Sequence, residues 1–182
     1  MDVRASHIDA LAADGHKWLL GPEGCAILYI NQALQERVEP VEFGWTNVAK
    51  YNDYGSRDMA LRGDAGRYEP GTLNTIGCFG LRAAIEFLLE VGLGEIAPVV
   101  QNLGTRIAAG VVEKGYEVLG NRTPENGAGI VSFRKPGWED REIVRRLREA
   151  GIAAAPRAGW VRTSPHFYIS PAEIDCMLEA LP

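Results

Sequence analysis

The chain has 182 residues, of which 46% are hydrophobic and 24% charged, a composition typical of a globular protein with a real core. Its net charge of -5 argues against a nucleic-acid partner or an anionic membrane surface, because either would need a basic face. The three cysteines form no CxxC pair or cysteine–histidine cluster, which argues against a metal site and favours reduced thiols in a cytoplasmic protein. No stretch is apolar over the length that a membrane span needs, so we expect no membrane partner.

A lysine lies in a glycine-flanked bend near the start of the chain. The run DGHKWLLGP at residues 14–22 places Lys17 directly after His16. An amine held in this way can be kept neutral by its surroundings and attack a carbonyl. Residues 25–30 follow the bend and are predicted to form a buried strand. Residues 32–70 have weak periodicity, which is long for an unstructured loop and indicates a functional segment or one ordered by a partner.

The remaining elements follow from periodicity and from helix start and stop signals. Apolar spacing predicts helices over residues 74–90 and 95–114, ended by Gly92 and Gly115. A compact α+β pattern comes next. It comprises strands at 116–119 and 130–134 around a loop at 120–129, a helix at 140–150, extended pieces at 152–157 and 160–163, and a last helix opening with SPAE at 170–173.

Two further runs carry groups suited to anions. In RYEPGTLN at residues 67–74, Gly71 permits close backbone approach, Thr72 offers a hydroxyl, and a helix N-terminus with unpaired amides follows. The alternative is an ordinary helix cap. In RAGWVRTSPHFY at residues 157–168, the planar guanidinium of Arg162 suits a carboxylate. A salt bridge at a strand end is the alternative there.

The three runs together resemble the class V aminotransferase and cysteine desulfurase family, which depends on pyridoxal phosphate (PLP). The resemblance implies that Lys17 forms the Schiff base with PLP and that His16 contacts its phosphate. It also implies that Thr72 reaches across a dimer to the phosphate bound mainly by the other subunit. It also implies that Arg162 binds the substrate carboxylate, with Arg157 as a second substrate-side arginine. Taken alone, Lys17 could be a surface lysine, and His16 could simply pack in its turn. Asp14 departs from the family pattern, and we expect it to turn away or to cap a neighbouring amide.

The resemblance covers the chain almost end to end, yet in the family about half of the enzyme precedes the lysine. We therefore expect an α/β chain that is the C-terminal part of a fold type I PLP-dependent transferase, with most of the large-domain sheet missing. Residues 1–115 would be a remnant of the large PLP-binding domain, and residues 116–182 a small α+β domain. The aspartate that keeps the PLP ring nitrogen protonated has no matching position before Lys17.

Two functions from different classes remain open. The first is a PLP-dependent aminotransferase, epimerase or lyase that acts on a small amino acid, with this chain inactive by itself and completed by a second copy or a separate N-terminal half. The second is a non-catalytic remnant or interaction module. Cysteine desulfurase chemistry is disfavoured, because the family's loop cysteine has no counterpart between Arg157 and Arg162. The cysteines, at positions 25, 78 and 176, lie elsewhere.

Overall fold

The computed structural model describes residues 2–123 and 126–182. It divides into two compact units, residues 1–90 and 91–182, which are described separately. The loop expected over residues 120–129 includes Pro124 and Glu125 and so falls partly outside the described residues. The domain boundary expected near Gly115 stays a prediction about the whole protein. In the part of the chain that is described, no helix combines the length and the apolar character needed to cross a bilayer.

The first unit contains a two-stranded antiparallel sheet. Strand β1 (Ala10–Asp14) pairs with β2 (Ala26–Ile30) in a register that joins Ala10 to Ile30 and Asp14 to Ala26. Only β2 was expected from the sequence. The expectation that it is buried was wrong for this chain, since Ile27 and Leu28 are 37% and 48% exposed. The cause is that, among the described residues, no third strand joins this sheet.

Residues 31–71 are ordered by their own polar side chains. The chain forms a short helix, α1 (Gln32–Gln35), and later one 3-10 turn (Ala65–Tyr68). Asn47 is fully buried between them. Its side-chain oxygen accepts from the Gly44 amide at 2.6 Å, and its Nδ2 donates to the Arg67 carbonyl at 2.6 Å. The Asn47 side chain therefore links Gly44 to Arg67 within a segment whose backbone also pairs at the isolated bridge of Val48 with Leu61.

Helix α2 (Thr75–Val91) ends the first unit and confirms the helix expected at 74–90. It buries Leu81 and Leu88. Several of its other apolar side chains lie in solvent, with Ile76, Phe79 and Leu89 exposed by 85%, 73% and 61%. These side chains give α2 an exposed apolar patch, which is larger than the single exposed apolar residues common on protein surfaces.

The second unit is an α+β domain whose elements confirm the predicted order. They are α3 (Leu93–Glu113), β3 (Glu117–Val118), β4 (Val131–Arg134), α4 (Asp140–Glu149), β5 (Ala155–Arg157), β6 (Trp160–Thr163) and α5 (Pro171–Ala180). The four strands form one antiparallel sheet in the order β3-β4-β6-β5. Helix α5 begins with the predicted capping box of Ser170 and Glu173.

The small sheet has two different faces, because successive side chains of a strand point to opposite sides. Val131, Phe133 and Val161 are at most 2% exposed and belong to the core with residues of the three helices. Ser132 and Arg162 are adjacent in sequence to these buried residues and pair with each other, so their side chains project from the opposite face. That face carries the candidate substrate arginine.

Candidate active site

Three backbone hydrogen bonds close the turn that carries Lys17. The Gly15 amide donates to the Cys25 carbonyl at 3.0 Å, and the Gly21 amide donates back to the Gly15 carbonyl at 2.8 Å. Between them, the Leu20 amide donates to the Lys17 carbonyl at 3.1 Å, and Leu20 takes a left-handed backbone with φ of 56°. A Cβ at Gly15 would come within 2.5 Å of the Cys25 oxygen, so only glycine fits there. The lysine is thus presented on a closed turn.

The Lys17 amine is engaged by Asp14. Its Nζ donates a hydrogen bond to Asp14 Oδ2, and the two side chains are 62% and 49% exposed. This hydrogen bond is the main reason that the pKa of Asp14 is lowered from its ordinary value. Asp14 does not cap a neighbouring amide, because the turn brings its carboxylate to the lysine. That it turns away from a bound phosphate stays a prediction. His16 is exposed beside them.

The lysine turn rests on the first turns of α2. A Cβ at Gly21 would lie 2.7 Å from Leu81 Cδ1, so the turn packs directly on that side chain. Asn74 stabilises this contact with two hydrogen bonds. Its Nδ2 donates to the Gly24 carbonyl at 3.1 Å, and its Oδ1 accepts from the Gly77 amide at 3.0 Å and so caps the helix. The sequence signal for the cap was an asparagine directly before an apolar run. Its second bond could not be read from the sequence.

Thr72 lies in the segment that leads into α2. It is exposed, and within the described residues its hydroxyl has no protein hydrogen-bond partner. The expectation of unpaired helix amides beside it was largely wrong. Of the first four amides, Thr75 donates to the Leu73 carbonyl, Gly77 to the Asn74 side chain and Cys78 to the Asn74 carbonyl. An anion here could therefore use the Thr72 hydroxyl and the Ile76 amide, but not the other three amides.

Arg162 occupies the middle of the outward face of the small sheet. It lies opposite Ser132 of β4 and Ala155 of β5. Its Nε is buried without a hydrogen-bond partner, and it forms no ion pair among the described residues, so the strand-end salt bridge is not found there. Arg157 is exposed at the end of β5, opposite Trp160, and so projects from the same face. A buried guanidinium nitrogen without a partner fits an anionic ligand.

The connection between Arg157 and Arg162 is a tight hairpin. Only Ala158 and Gly159 separate β5 from β6, with φ of 50° and 85°, the two positive values of a type I′ turn. The Gly159 amide donates to Asp140 at 3.1 Å and fixes the turn on α4. There is no loop here that could carry a mobile thiol.

The family model that matches this chain is "Aminotransferase class-V", over residues 1–167. The chain therefore belongs to the class V aminotransferase family, a family of PLP-dependent enzymes, and the family prediction is confirmed. The five residues proposed from the resemblance are divided between the units. Lys17, His16 and Thr72 lie in the first, and Arg157 and Arg162 in the second.

Individual relatives agree on the family and differ in activity. The chain is 31% identical to a probable cysteine desulfurase of Methanothermobacter thermautotrophicus and 30% identical to isopenicillin N epimerase of Streptomyces clavuligerus, in each case over 100% of this chain and 48% of the relative. An apo cysteine desulfurase structure from Thermococcus onnurineus NA1 superposes with a TM-score of 0.88 at 30% identity, covering 97% of this chain and 47% of that one. The chain thus has the α/β structure of part of the fold type I enzymes and spans about half the length of its relatives.

Proposed function

We propose that this chain supplies part of the active site of a PLP-dependent enzyme that acts on a small amino acid by transamination, epimerisation or elimination. The observation that carries the proposal is the closed turn that presents Lys17, in which Gly15 and Gly21 bond to each other across the lysine. A closed turn fixes the backbone of a lysine while leaving its amine in reach of a ligand carbonyl.

The residues of the first unit fit the cofactor. Lys17 would hold PLP through its amine, which pairs with Asp14 in its absence. His16 would contact the phosphate of that PLP, and Thr72 the phosphate bound mainly by the other subunit of a dimer. The free hydroxyl of Thr72 and the exposed ring of His16 support these roles. PLP supplies an electron sink for the α-carbon of an amino acid.

The residues of the second unit fit the substrate. Arg162 would bind the α-carboxylate, because its guanidinium is half-buried on the sheet face and its Nε has no other partner among the described residues. Arg157, exposed on the same face, would be a second substrate-side arginine. Lys17, once its amine is free, would remove and return the α-proton as general base and acid.

Sulfur transfer is not part of this proposal, although cysteine desulfurases are among the relatives. The family's thiol would have to lie before Arg162, where a two-residue hairpin stands instead. The free cysteines lie in the lysine turn, in α2 and in α5. Their free state accords with a reducing, cytoplasmic compartment.

The remaining part of the site would come from an N-terminal half, and the whole would assemble as a homodimer. The chain spans 48% of its relatives, and the exposed apolar side chains of α2 give such a partner a surface to cover. We propose that this chain by itself is inactive, because no residue in it matches the acidic partner of the PLP ring.

Exchange of the substrate α-proton in deuterium oxide tests the proposal, since transamination, epimerisation and many eliminations share that step. NMR would follow a panel of small amino acids with PLP and the chain, alone and co-expressed with the coding sequence directly upstream. We expect exchange only in the co-expressed sample, lost in Lys17→Ala and retained in Lys50→Ala, whose lysine also pairs with an aspartate at 3.0 Å. If the co-expressed protein binds PLP but exchanges no α-proton of any amino acid in the panel, the proposed enzymatic function would be refuted.

That refutation would favour the second candidate, a non-catalytic interaction module. It is supported by the exposure of Ile76 and Phe79, which a stand-alone catalytic surface does not need. In that case the upstream polypeptide would still co-purify with the chain, and charged substitutions of Ile76 and Phe79 would release it. Lys17→Ala would leave the complex intact.

A further inference from the structure

A four-residue turn, GWTN at residues 44–47, packs on the segment that leads to Thr72. Two hydrogen bonds close the turn, since the Asn47 amide donates to the Gly44 carbonyl at 3.4 Å and Asn47 Oδ1 accepts from the Gly44 amide at 2.6 Å. A Cβ on Gly44 would overlap the Pro70 carbonyl oxygen, so only glycine allows this close approach. The turn therefore lies directly against the backbone just before Thr72.

Thr46 binds that backbone through its side chain. Its Oγ1 donates to the Glu69 carbonyl and lies 3.3 Å from the Gly71 carbonyl oxygen, which is a second acceptor for the same proton. The residue is half-buried, so water competes less for these bonds than at an open surface. One hydroxyl thus orients the peptide units that follow Glu69 and Gly71.

The bond to Gly71 also determines where the Thr72 amide points. The peptide bond between Gly71 and Thr72 is trans, so its C=O and N–H are directed to opposite sides. Because the C=O faces Thr46, the N–H of Thr72 faces away from it. Within the described residues, neither this amide nor the Thr72 hydroxyl has a protein hydrogen-bond partner. Two free donors of one residue are therefore held next to each other.

We propose that Thr46 is a positioning residue, which orients the amide and the hydroxyl of Thr72 toward the PLP phosphate. The inference rests on the proposed function, in which Thr72 contacts that phosphate. Thr46 acts through Thr72 and does not itself touch the anion. Donors that are oriented before binding lose less conformational freedom when the phosphate arrives, so the gain appears in the affinity for PLP.

A double-mutant cycle on the dissociation constant of PLP tests the proposal. The constant is measured by equilibrium dialysis on the chain co-expressed with the coding sequence directly upstream. We expect Thr72→Val to raise it about ten-fold and Thr46→Val about three- to ten-fold, because each removes the hydroxyl and keeps the shape. In the variant with both substitutions the increase should be clearly smaller than the product of the two, since Thr46 acts through Thr72.

Two variants serve as controls. Thr46→Ser keeps the hydroxyl and should retain the wild-type dissociation constant. Thr163→Val removes a hydroxyl that donates to the Val131 carbonyl at 3.1 Å in the second unit, and should also leave the constant unchanged. A second measurement needs no PLP, because the NMR amide shift of Thr72 in the chain by itself should change in Thr46→Val and return in Thr46→Ser.

The results that overturn the inference differ from those that overturn the proposed function. An unchanged dissociation constant in Thr46→Val, or increases that multiply in the double variant, would show that Thr46 does not act through Thr72 and would leave the role of Thr72 intact. An unchanged constant in Thr72→Val, or no binding of PLP by the wild-type protein, would remove the phosphate role of Thr72 and the inference with it.

Discussion

The carboxylate of Asp14 and the ammonium of Lys17 form an ion pair across the turn that presents the lysine. Both belong to the same closed turn, with Asp14 ending β1 and Lys17 three residues further. A carbonyl ligand must displace Asp14 before it can react with the amine. The aspartate therefore competes directly with the role proposed for Lys17.

We expect Lys17→Gln to return the pKa of Asp14 toward its ordinary value of 3.8, because the hydrogen bond from Lys17 is the largest cause of its lowering. A carboxyl whose folded pKa is depressed stabilises the fold above the unfolded pKa and loses that contribution as the pH falls through the folded value. The pH range in which Asp14 loses this stabilising contribution therefore lies below pH 3.8. Carbon-detected NMR titration of the Asp14 carboxyl measures the shift, and Lys50→Gln is the control. An unchanged titration in Lys17→Gln would contradict the ion pair.

Asn47→Ala should destabilise the first unit by about 2–4 kcal/mol, because it leaves the Gly44 amide and the Arg67 carbonyl without partners. Urea unfolding combined with hydrogen exchange of residues 44–71 measures the effect. Asn31→Ala is the matched control, since Asn31 also bonds a backbone amide but caps only the four-residue helix α1. Equal losses in both variants would mean that Asn47 does not organise the segment leading to Thr72.

Arg162→Met should leave the free energy of unfolding unchanged or raise it by about 1 kcal/mol, because it removes a buried polar nitrogen that has no partner. Arg134→Met is the control on the same sheet. It loses an ion pair with Glu117 and a contact 4.6 Å above the Trp160 ring, so a cost of about 0.5–1 kcal/mol is expected. Urea denaturation distinguishes the two. A large loss of stability in Arg162→Met would show a structural role and remove the support for a ligand-binding one.

The β5–β6 hairpin gives a prediction about the site geometry. Gly159→Ala should cost about 1–2 kcal/mol, since a Cβ is forced into the left-handed region at φ of 85°. Ala158→Asn should be neutral or stabilising by up to about 1 kcal/mol, because asparagine tolerates that region better than alanine. Thermal unfolding of both variants checks which of them is the less stable. A more stable Gly159→Ala would contradict the type I′ turn.

The helices and the small sheet could be predicted because each has a strong local signal. Helices α2 and α4 follow from apolar spacing, and α5 follows from its serine cap, proline and glutamate. Strand β1 was not predicted, because its sequence ALAAD has no β-branched or aromatic residue and only pairing with β2 makes it a strand. The exposure of β2 could not be predicted either, because it depends on whether further strands or helices pack against the two-stranded sheet.

The residue types of the candidate site could be proposed from the sequence, and their roles stay predictions; their contacts could not be proposed in the same way. The lysine, threonine and arginine motifs located the three groups. The ion pair of Asp14 with Lys17 depends on the conformation of the turn between them. The second bond of Asn74 arises from folding of distant segments onto one another. Periodicity and capping signals describe neighbours in sequence, so such contacts are beyond them.

The most direct test of the central claim is borohydride reduction of the chain mixed with PLP, followed by peptide mapping of the adduct. The account predicts that the adduct forms on Lys17, disappears in Lys17→Ala and persists in Lys50→Ala, the matched lysine that also pairs with an aspartate. Lys114 and Lys135 provide internal controls within the same digest. Label spread evenly over the four lysines, or absent from Lys17 in the chain both alone and with its upstream partner, would contradict the assignment of Lys17 as the cofactor lysine.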